Sequence, residues 1–333
     1  CLRGPEMEQK IVMVVDKMSD HKLSADIFRN DLEGNSVNQT MRLKNSLEKI
    51  GDVVCYDNIV DFASHLHEHI DDIVFPMYYG PASYNSKGIV PSLCDTYGIK
   101  YIGADAYTQL LCNDKALSKL YASNFGICSP KGYVLRPGTN PEIAMTAIQG
   151  LQLPMVVKPN VGGGSTGISV NNIVFDYKSA VELAVNLIDN LQIPILAEEY
   201  IAGYEVELIT VGSHHNISFC EEVQLLMENK SFFDHELWGY ETKSIDDSSV
   251  EFSMSNYIST SDRRNLLELF HSFEKIEMLR FDGRVKNGKF YLIELSPDCY
   301  LGDDCAFYYA FQQKGYSHDE MFRFLIRNSL ALD

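Results

Sequence analysis

The chain has 333 residues, enough for two or three packed modules, and 45% of them are hydrophobic, as in an ordinary globular protein. Against 28 Lys and Arg stand 46 Asp and Glu, a formal net charge of −18, which speaks against a nucleic acid or an anionic membrane as partner because both are bound through basic surfaces. No apolar run approaches the roughly 20 residues that cross a bilayer. The eight cysteines are scattered, with no C-x-x-C pair, and read as reduced thiols in the cytoplasm. A nucleotide site stays open, since a few Lys and Arg in a cleft with Mg²⁺ suffice locally.

Residues 1–6 lack an initiator Met and are left out of the fold. Ile11–Val15 is too short for a signal-peptide core and reads as an opening buried strand. Val53–Tyr56 and 73–76 read as further short buried strands, and Met41, Leu43, Leu47 and Ile50 space as an amphipathic helix between the first two. Residues 107–124 read as one helix, stopped by Gly126 and Pro130. From Met155 the texture becomes strand (155–158), glycine loop (162–167) and strand (168–174). A helix follows with Ala180, Val181, Ala184, Leu187 and Ile188 on one face, then strands at 195–200 and 205–211. His214 and His215 fall in turn chemistry rather than in a metal pattern. Residues 227–254 read as a long irregular loop, 262–279 as a helix, 281–295 as a hairpin and 317–330 as a closing helix. The alternation of strands and helices is that of an α/β (α+β) protein.

Gly162-Gly163-Gly164-Ser165-Thr166-Gly167 satisfies G-x-G-x-x-G, but the dinucleotide fingerprint needs a helix to open at the third glycine. Ile168, Ser169 and Val170 are strand formers, so that reading fails on context. A phosphate-loop reading from Gly80 to Lys87 fails too, with Asn85 at the second glycine position. What remains is a flexible hairpin tip after a strand carrying Lys158. Its N–H groups and the Ser165 and Thr166 hydroxyls suit a triphosphate, although a surface hairpin without a ligand fits as well.

In the hairpin at 281–295, alternation puts Arg280 with Asp282 on one face, and Glu294 with Ser296 on one face. A two-residue Asn287-Gly288 turn sends Glu294 to the side opposite Asp282. A three-residue turn with Gly288 left-handed brings all four residues together, and is expected if Asp282 and Glu294 share a metal. Two hard carboxylates suit Mg²⁺, which fills its shell with phosphate oxygens and water; two exposed acids on an acidic protein is the plainer alternative.

Taken in order, several patches resemble the D-alanine–D-alanine ligase family of ATP-grasp enzymes. They are Val74-Phe75-Pro76, Tyr101-Ile102-Gly103, Asn113-Asp114-Lys115 with Lys119, Leu153 to Pro159 with the glycine loop, Glu198 to Glu205, Arg280-Phe281-Asp282 and Tyr291-Leu292-Ile293-Glu294. The resemblance implies an ATP-grasp fold: an N-terminal parallel-sheet domain (1–103), a central lid subdomain (104–193) and a C-terminal subdomain with metal and substrate sites (194–333). It also implies an ADP-forming ligase that joins a carboxylate to an amine through an acyl phosphate, using ATP and Mg²⁺, with Mn²⁺ as an admissible substitute. Its partners would be small molecules, amino acids above all, with no nucleic acid and no membrane, and a homodimer is compatible with it. Lys115, Lys158, Gly163, Gly164 and Ser165 would meet the nucleotide, Glu198, Glu199, Tyr200 and Ile201 would run along the adenine, and Glu205 would hold the ribose. Asp282, Glu294 and Ser296 would bind the metal, and Arg280 and Ser165 would serve catalysis, Arg280 by neutralising the oxygen of the tetrahedral intermediate.

The nucleotide side follows the family pattern and the amino-acid side departs from it. The family's H-G-x-x-G-E-D-G-x-x-Q stretch is replaced by Tyr79-Gly80-Pro81-Ala82-Ser83-Tyr84-Asn85-Ser86-Lys87-Gly88, and Gly164 stands for the first of two serines. Tyr240 and Lys243, near Trp238-Gly239, are displaced candidates for a Lys-Tyr pair. Ser296 replaces an Asn metal ligand, with Asp298 as a possible helper, and Cys305 stands where a Ser would grip the second substrate. Glu33, in an acidic stretch with Asp31, is the candidate for a substrate ammonium, and Tyr79, Tyr84, Trp238, Tyr300 and Cys305 outline a bulkier, more aromatic pocket. A changed substrate pair follows, with a degenerate nucleotide-binding protein of regulatory role as the alternative.

Overall fold

The structure is a computed structural model that describes residues 9–17, 28, 33–237 and 250–331. Residues 1–6, Asp31, Trp238, Gly239, Tyr240 and Lys243, all named above, lie outside the described residues.

The first apolar run forms β1 (Ile11–Val15), buried at every position because helices cover both faces of its sheet. Alternation divides it. Ile11, Met13 and Val15 pack with Leu43 and Leu47 of α1 (Val37–Glu48). Val12 and Val14 meet Phe62 of α2 (Ile59–His65) with Val90 and Cys94 of α3 (Ile89–Tyr97). With β2 (Val53–Tyr56), β3 (Ile73–Met77) and β4 (Lys100–Tyr101) the sheet runs β2-β1-β3-β4, parallel throughout. Helix α1 opens on a capping box between Ser36 and Gln39. Two of its expected core positions differ: Met41 is 45% exposed, and Ile50 lies beyond the helix end.

Residues 107–124, expected as one helix, are two: α4 (Ala106–Asn113) and α5 (Lys115–Ser123). Asp114 leaves the helical conformation at φ −86° and ψ 99° and caps α5, its Oδ1 accepting from the Leu117 N–H and from Asn160 Nδ2. A short acid that finds backbone and tertiary donors favours a cap over a helix interior.

The second sheet contains β5 (Gly132–Leu135), β6 (Met155–Pro159), β7 (Ile173–Val174) and β8 (Ile195–Glu199), in the order β5-β8-β6-β7 and antiparallel. Met155, Val157, Ile195 and Ala197 face α6 (Pro141–Ile148) and α7 (Tyr177–Leu191), whose Ala180, Ala184 and Leu187 are buried against them. Alternation turns Val156, Lys158 and Glu198 to the opposite side. The strand expected at 168–174 shrinks to β7, because residues 170–172 turn as a 3-10 segment and Asn172 Nδ2 donates to the Val157 and Gly167 carbonyls. Strand β8 lies beyond residue 193 yet pairs within this central sheet.

The third sheet joins β9 (Gly203–Gly212), β10 (Ile217–Met227), β11 (Phe232–Phe233), β12 (Val250–Met254), β13 (Met278–Lys286) and β14 (Lys289–Ser296). Its order is β12-β10-β9-β13-β14, with β11 on β9. The expected loop at 227–254 therefore carries two short strands. Helix α8 (Thr260–His271) stops short of the expected 279, since Met278 and Leu279 pair with Val211 and Thr210. Helices α9 (Ala306–Gln313) and α10 (His318–Leu330) bring Phe307, Phe311 and Phe322 into the core shared with β1 and β3, tying the third sheet to the first. Among the described residues no helix is long and apolar enough to cross a membrane.

Candidate active site

Strands β13 and β14 meet in a two-residue turn, Lys286 opposite Lys289, with Asn287 and Gly288 both at positive φ, 52° and 74°. The three-residue turn expected from the sequence is therefore wrong. Continued without interruption, this register would pair Asp282 with Ile293 and turn Glu294 away. Instead the ladder shifts between Gly283, opposite Leu292, and Asp282, opposite Glu294. Ile293 is the extra residue of a β-bulge, and the two carboxylates share a face by a device the turn does not supply. On its other side Asp282 stands opposite Glu207 of β9, so three acids lie abreast on adjacent strands.

Arg280 forks onto Asp282, Nε to Oδ1 at 2.6 Å and Nη2 to Oδ2 at 2.8 Å, with Glu207 Oε2 3.4 Å from Nε. The Ser296 hydroxyl donates to Asp282 Oδ2 at 3.3 Å. Asp298, the expected helper, is instead 2.8 Å from Lys87. Among the described residues no three His, Cys, Asp or Glu form a group able to hold a metal alone. The adjacent Asp282 and Glu294 suit an ion such as Mg²⁺ that completes its shell with other oxygens.

Lys115, the first residue of α5, lies 3.0 Å from Glu294 Oε1 and donates to the Gly162 carbonyl. Burial pushes the Glu294 carboxyl up, but Lys115, Lys158 and Lys87 outweigh it and hold it down at about 2. Glu198 is buried between Lys158, 2.7 Å from Oε1, and Lys119, which donates to Oε2. Burial opposes ionisation of Glu198, yet the two lysines bring its carboxyl below the usual range. Burial lowers Lys119 to about 8 against the pull of Glu198. The Glu198 side chain is thus engaged with lysines rather than lying open along the wall. Glu199 accepts from the Gln152 N–H, and the Tyr200 hydroxyl donates to the Glu236 carbonyl.

The glycine loop is tied down at its start. The Gly162 N–H donates to Asn113 Oδ1 at 2.9 Å, and the Gly163 N–H to Glu33 Oε2 at 2.8 Å. A Cβ at Gly163 would come within 2.3 Å of Glu33 Oε1, so only glycine permits this approach. Ser165 takes a positive φ of 58°, unusual for a residue with a side chain. Lys87 closes the arrangement between Glu33 at 2.5 Å and Asp298 at 2.8 Å; burial disfavours its charge, but these two acids overcome it and raise its pKa. Glu33 is therefore already ion-paired rather than an open acceptor for an ammonium.

Lys87, Lys115, Lys158, Glu198, Asp282 and Glu294 line one cavity of about 680 Å³, reaching from the glycine loop past Arg280 to Tyr300 and α9. Tyr79 also borders it, its backbone N–H donating to Asp16 Oδ2 at 2.9 Å. Cys305 borders it as the N-cap of α9, its thiol donating to the Gly302 carbonyl and accepting from the Tyr308 N–H. Burial pushes that thiol up to about 12. Four buried groups escaped the sequence analysis or were given no role there: Lys87, Lys119, Glu207 and Arg284. Glu207 follows Glu205, and Arg284 follows Asp282, at the period of two that puts strand residues on one face.

Residues 123–327, more than half of the chain, match the family model described as D-ala D-ala ligase C-terminus. The D-alanine–D-alanine ligase of Chlorobium phaeovibrioides is 32% identical over 170 residues, 50% of this chain and 45% of that protein. The chain spans about half the length of the relatives it matches. The D-alanine–D-alanine ligase of Bacillus anthracis, solved in complex with ATP, superposes with a TM-score of 0.71 at 18% identity, covering 97% of this chain and 98% of that one. A D-Ala:D-Ser ligase from Enterococcus faecalis gives a TM-score of 0.63 at 17% identity over 96% and 99%. At these identities the likeness is one of fold.

Proposed function

Because the chain belongs to the family of the D-ala D-ala ligase C-terminus, we propose that it is an ATP-dependent, ADP-forming carboxylate–amine ligase that works through an acyl phosphate. One observation carries the reading: Lys115 and Lys158, set against Glu294 and Glu198, converge with Asp282 on a single cavity beneath the glycine loop, and Lys119 backs them through Glu198. An acidic chain that gathers three ammonium groups in one place is built for an anion, and carboxylates beside them suit a divalent cation. A fold neighbour solved with ATP supports a nucleotide in this position.

Asp282, Glu294 and Ser296 would hold Mg²⁺, or Mn²⁺ in its place, which supplies positive charge to phosphate oxygens. Val156, Tyr200 and Leu237, which pack as one apolar group, offer a wall for the adenine. Arg280, charged and fixed by Asp282, is positioned to neutralise an oxygen that gains charge when an amine attacks the activated carboxyl. The glycine loop, fastened through Glu33 and Lys87, excludes water from that carboxyl. A cytoplasmic location goes with this reading, since the reaction consumes ATP and the described cysteines are all free.

The substrates proposed are amino acids, in a pair other than two D-alanines. Tyr79 and Tyr300 border the cavity, and Glu207, abreast of Asp282, adds a buried carboxylate beside Arg280. The test is an ADP-release screen over pairs of amino acids, with mass spectrometry of the condensed product. Product from a pair other than D-alanine with D-alanine is expected. Turnover confined to D-alanine overturns the changed pair. ATP binding with no turnover on any pair would make the chain a nucleotide-binding protein instead.

A further inference from the structure

Arg284 of β13 stands directly opposite Glu205 of β9, and both line the cavity. Arg284 is 4% exposed, and its guanidinium is anchored on every side. Nε and Nη2 reach Glu205 Oε2 at 3.0 and 2.7 Å, Nη1 donates to the Ile201 carbonyl at 2.9 Å, and Nη2 to the Glu236 carbonyl at 2.9 Å. The group also lies over the Tyr200 ring, 4.7 Å from its centroid, with the Phe233 ring 5.5 Å away. So many contacts hold the guanidinium in one place, and with it the carboxylate.

What matters is which carboxylate oxygen is taken. Both N–H groups that reach Glu205 converge on Oε2 and use its two lone pairs. Oε1 makes no hydrogen bond with any described residue, and the Glu205 side chain is 22% exposed, toward the cavity. A carboxylate with both oxygens open can accept from both hydroxyls of a ribose, one on each oxygen. With Oε2 filled only Oε1 remains, and its two lone pairs diverge more widely than two vicinal hydroxyls do, so one hydroxyl at a time aligns with it. The ion pair also cancels the charge of Glu205, which would otherwise repel a polyanionic ligand.

We infer that Arg284 is a positioning residue that makes Glu205 a reader of one ribose hydroxyl rather than two. The inference rests on the nucleotide reading proposed above. It is tested by equilibrium binding of ATP, 2′-deoxy-ATP and 3′-deoxy-ATP to the full chain, measured by calorimetry. One analogue is expected to bind as ATP does and the other about 10-fold more weakly, the loss typical of one hydrogen bond to a charged group. In Arg284→Met both oxygens open, and both analogues fall below ATP by similar factors. In Glu205→Ala all three ligands bind alike. Equal losses for both analogues in the native protein, or no loss for either, overturn the inference, as does discrimination that survives Glu205→Ala. Should Arg284→Met fail to fold, the native protein and Glu205→Ala decide the matter. A native protein that binds no ATP overturns the nucleotide reading itself, a result distinct from all of these.

Discussion

Glu294→Gln removes one negative charge while keeping the side chain's shape, and the structure sets what that charge is worth. The side chain is 28% exposed and 3.0 Å from Lys115, and three lysines hold its carboxyl down from 4.5 to about 2. At about 1.36 kcal/mol per pH unit, that lowering corresponds to roughly 3 kcal/mol at neutral pH. The Gln carbonyl still accepts a hydrogen bond from Lys115, which trims the loss to about 2 kcal/mol. The sign follows from the direction of the shift. A carboxyl whose folded-state pKa is depressed contributes stability above the unfolded value and loses it as the pH falls through the folded one. Denaturant unfolding should therefore find the variant less stable than the native chain at pH 7, with the gap closing from pH 4.5 towards pH 2. A gap of the same size at pH 7 and pH 3 would refute the reasoning, because it would assign the loss to packing rather than charge.

Gly163→Ala forces the Glu33 carboxylate away from a Cβ 2.3 Å from Oε1. It should cost about 1–3 kcal/mol in thermal or chemical unfolding, and most of that cost should vanish in a Glu33→Ala background. Lys119, lowered to about 8 by burial, should lose its proton as the pH rises from 7 to 9. ATP affinity measured by titration should fall several-fold over that range, and Lys119→Met should bind more weakly with a flat profile. Cys305→Ser puts a stronger N-cap on α9 and should stabilise the chain by about 0.5–1 kcal/mol, seen as a raised Tm. A lowered Tm would mean that the thiol's packing outweighs its capping.

Much of the fold was legible because its signals are local. All five residues of the opening apolar run are buried in β1, and the five apolar positions chosen on the helix after the glycine loop are all buried in α7. Periodicity sorts residues by face whatever the partner turns out to be. Local reasoning failed where a distant group intervened. Asp114 ends a helix because Asn160 and the following backbone compete for its carboxylate. Helix α8 ends early because a neighbouring strand claims Met278 and Leu279. The hairpin shows both outcomes at once. Asn287-Gly288 signalled the two-residue turn that forms, while the bulge that returns Glu294 to the side of Asp282 has no local signature.

The sequence by itself determined the inventory: the lysines, the paired acids, the glycine loop, and the strand faces on which most of them lie. Only the tertiary structure decided their pairing. Lys119 meets Glu198, and Arg284 meets Glu205, each across 79 positions of chain. Hydrogen bonds and buried ion pairs act over a few ångströms, so their partners are set by which strands and helices come to lie side by side. Sequence order leaves that choice open; close packing of three sheets around one cavity makes it.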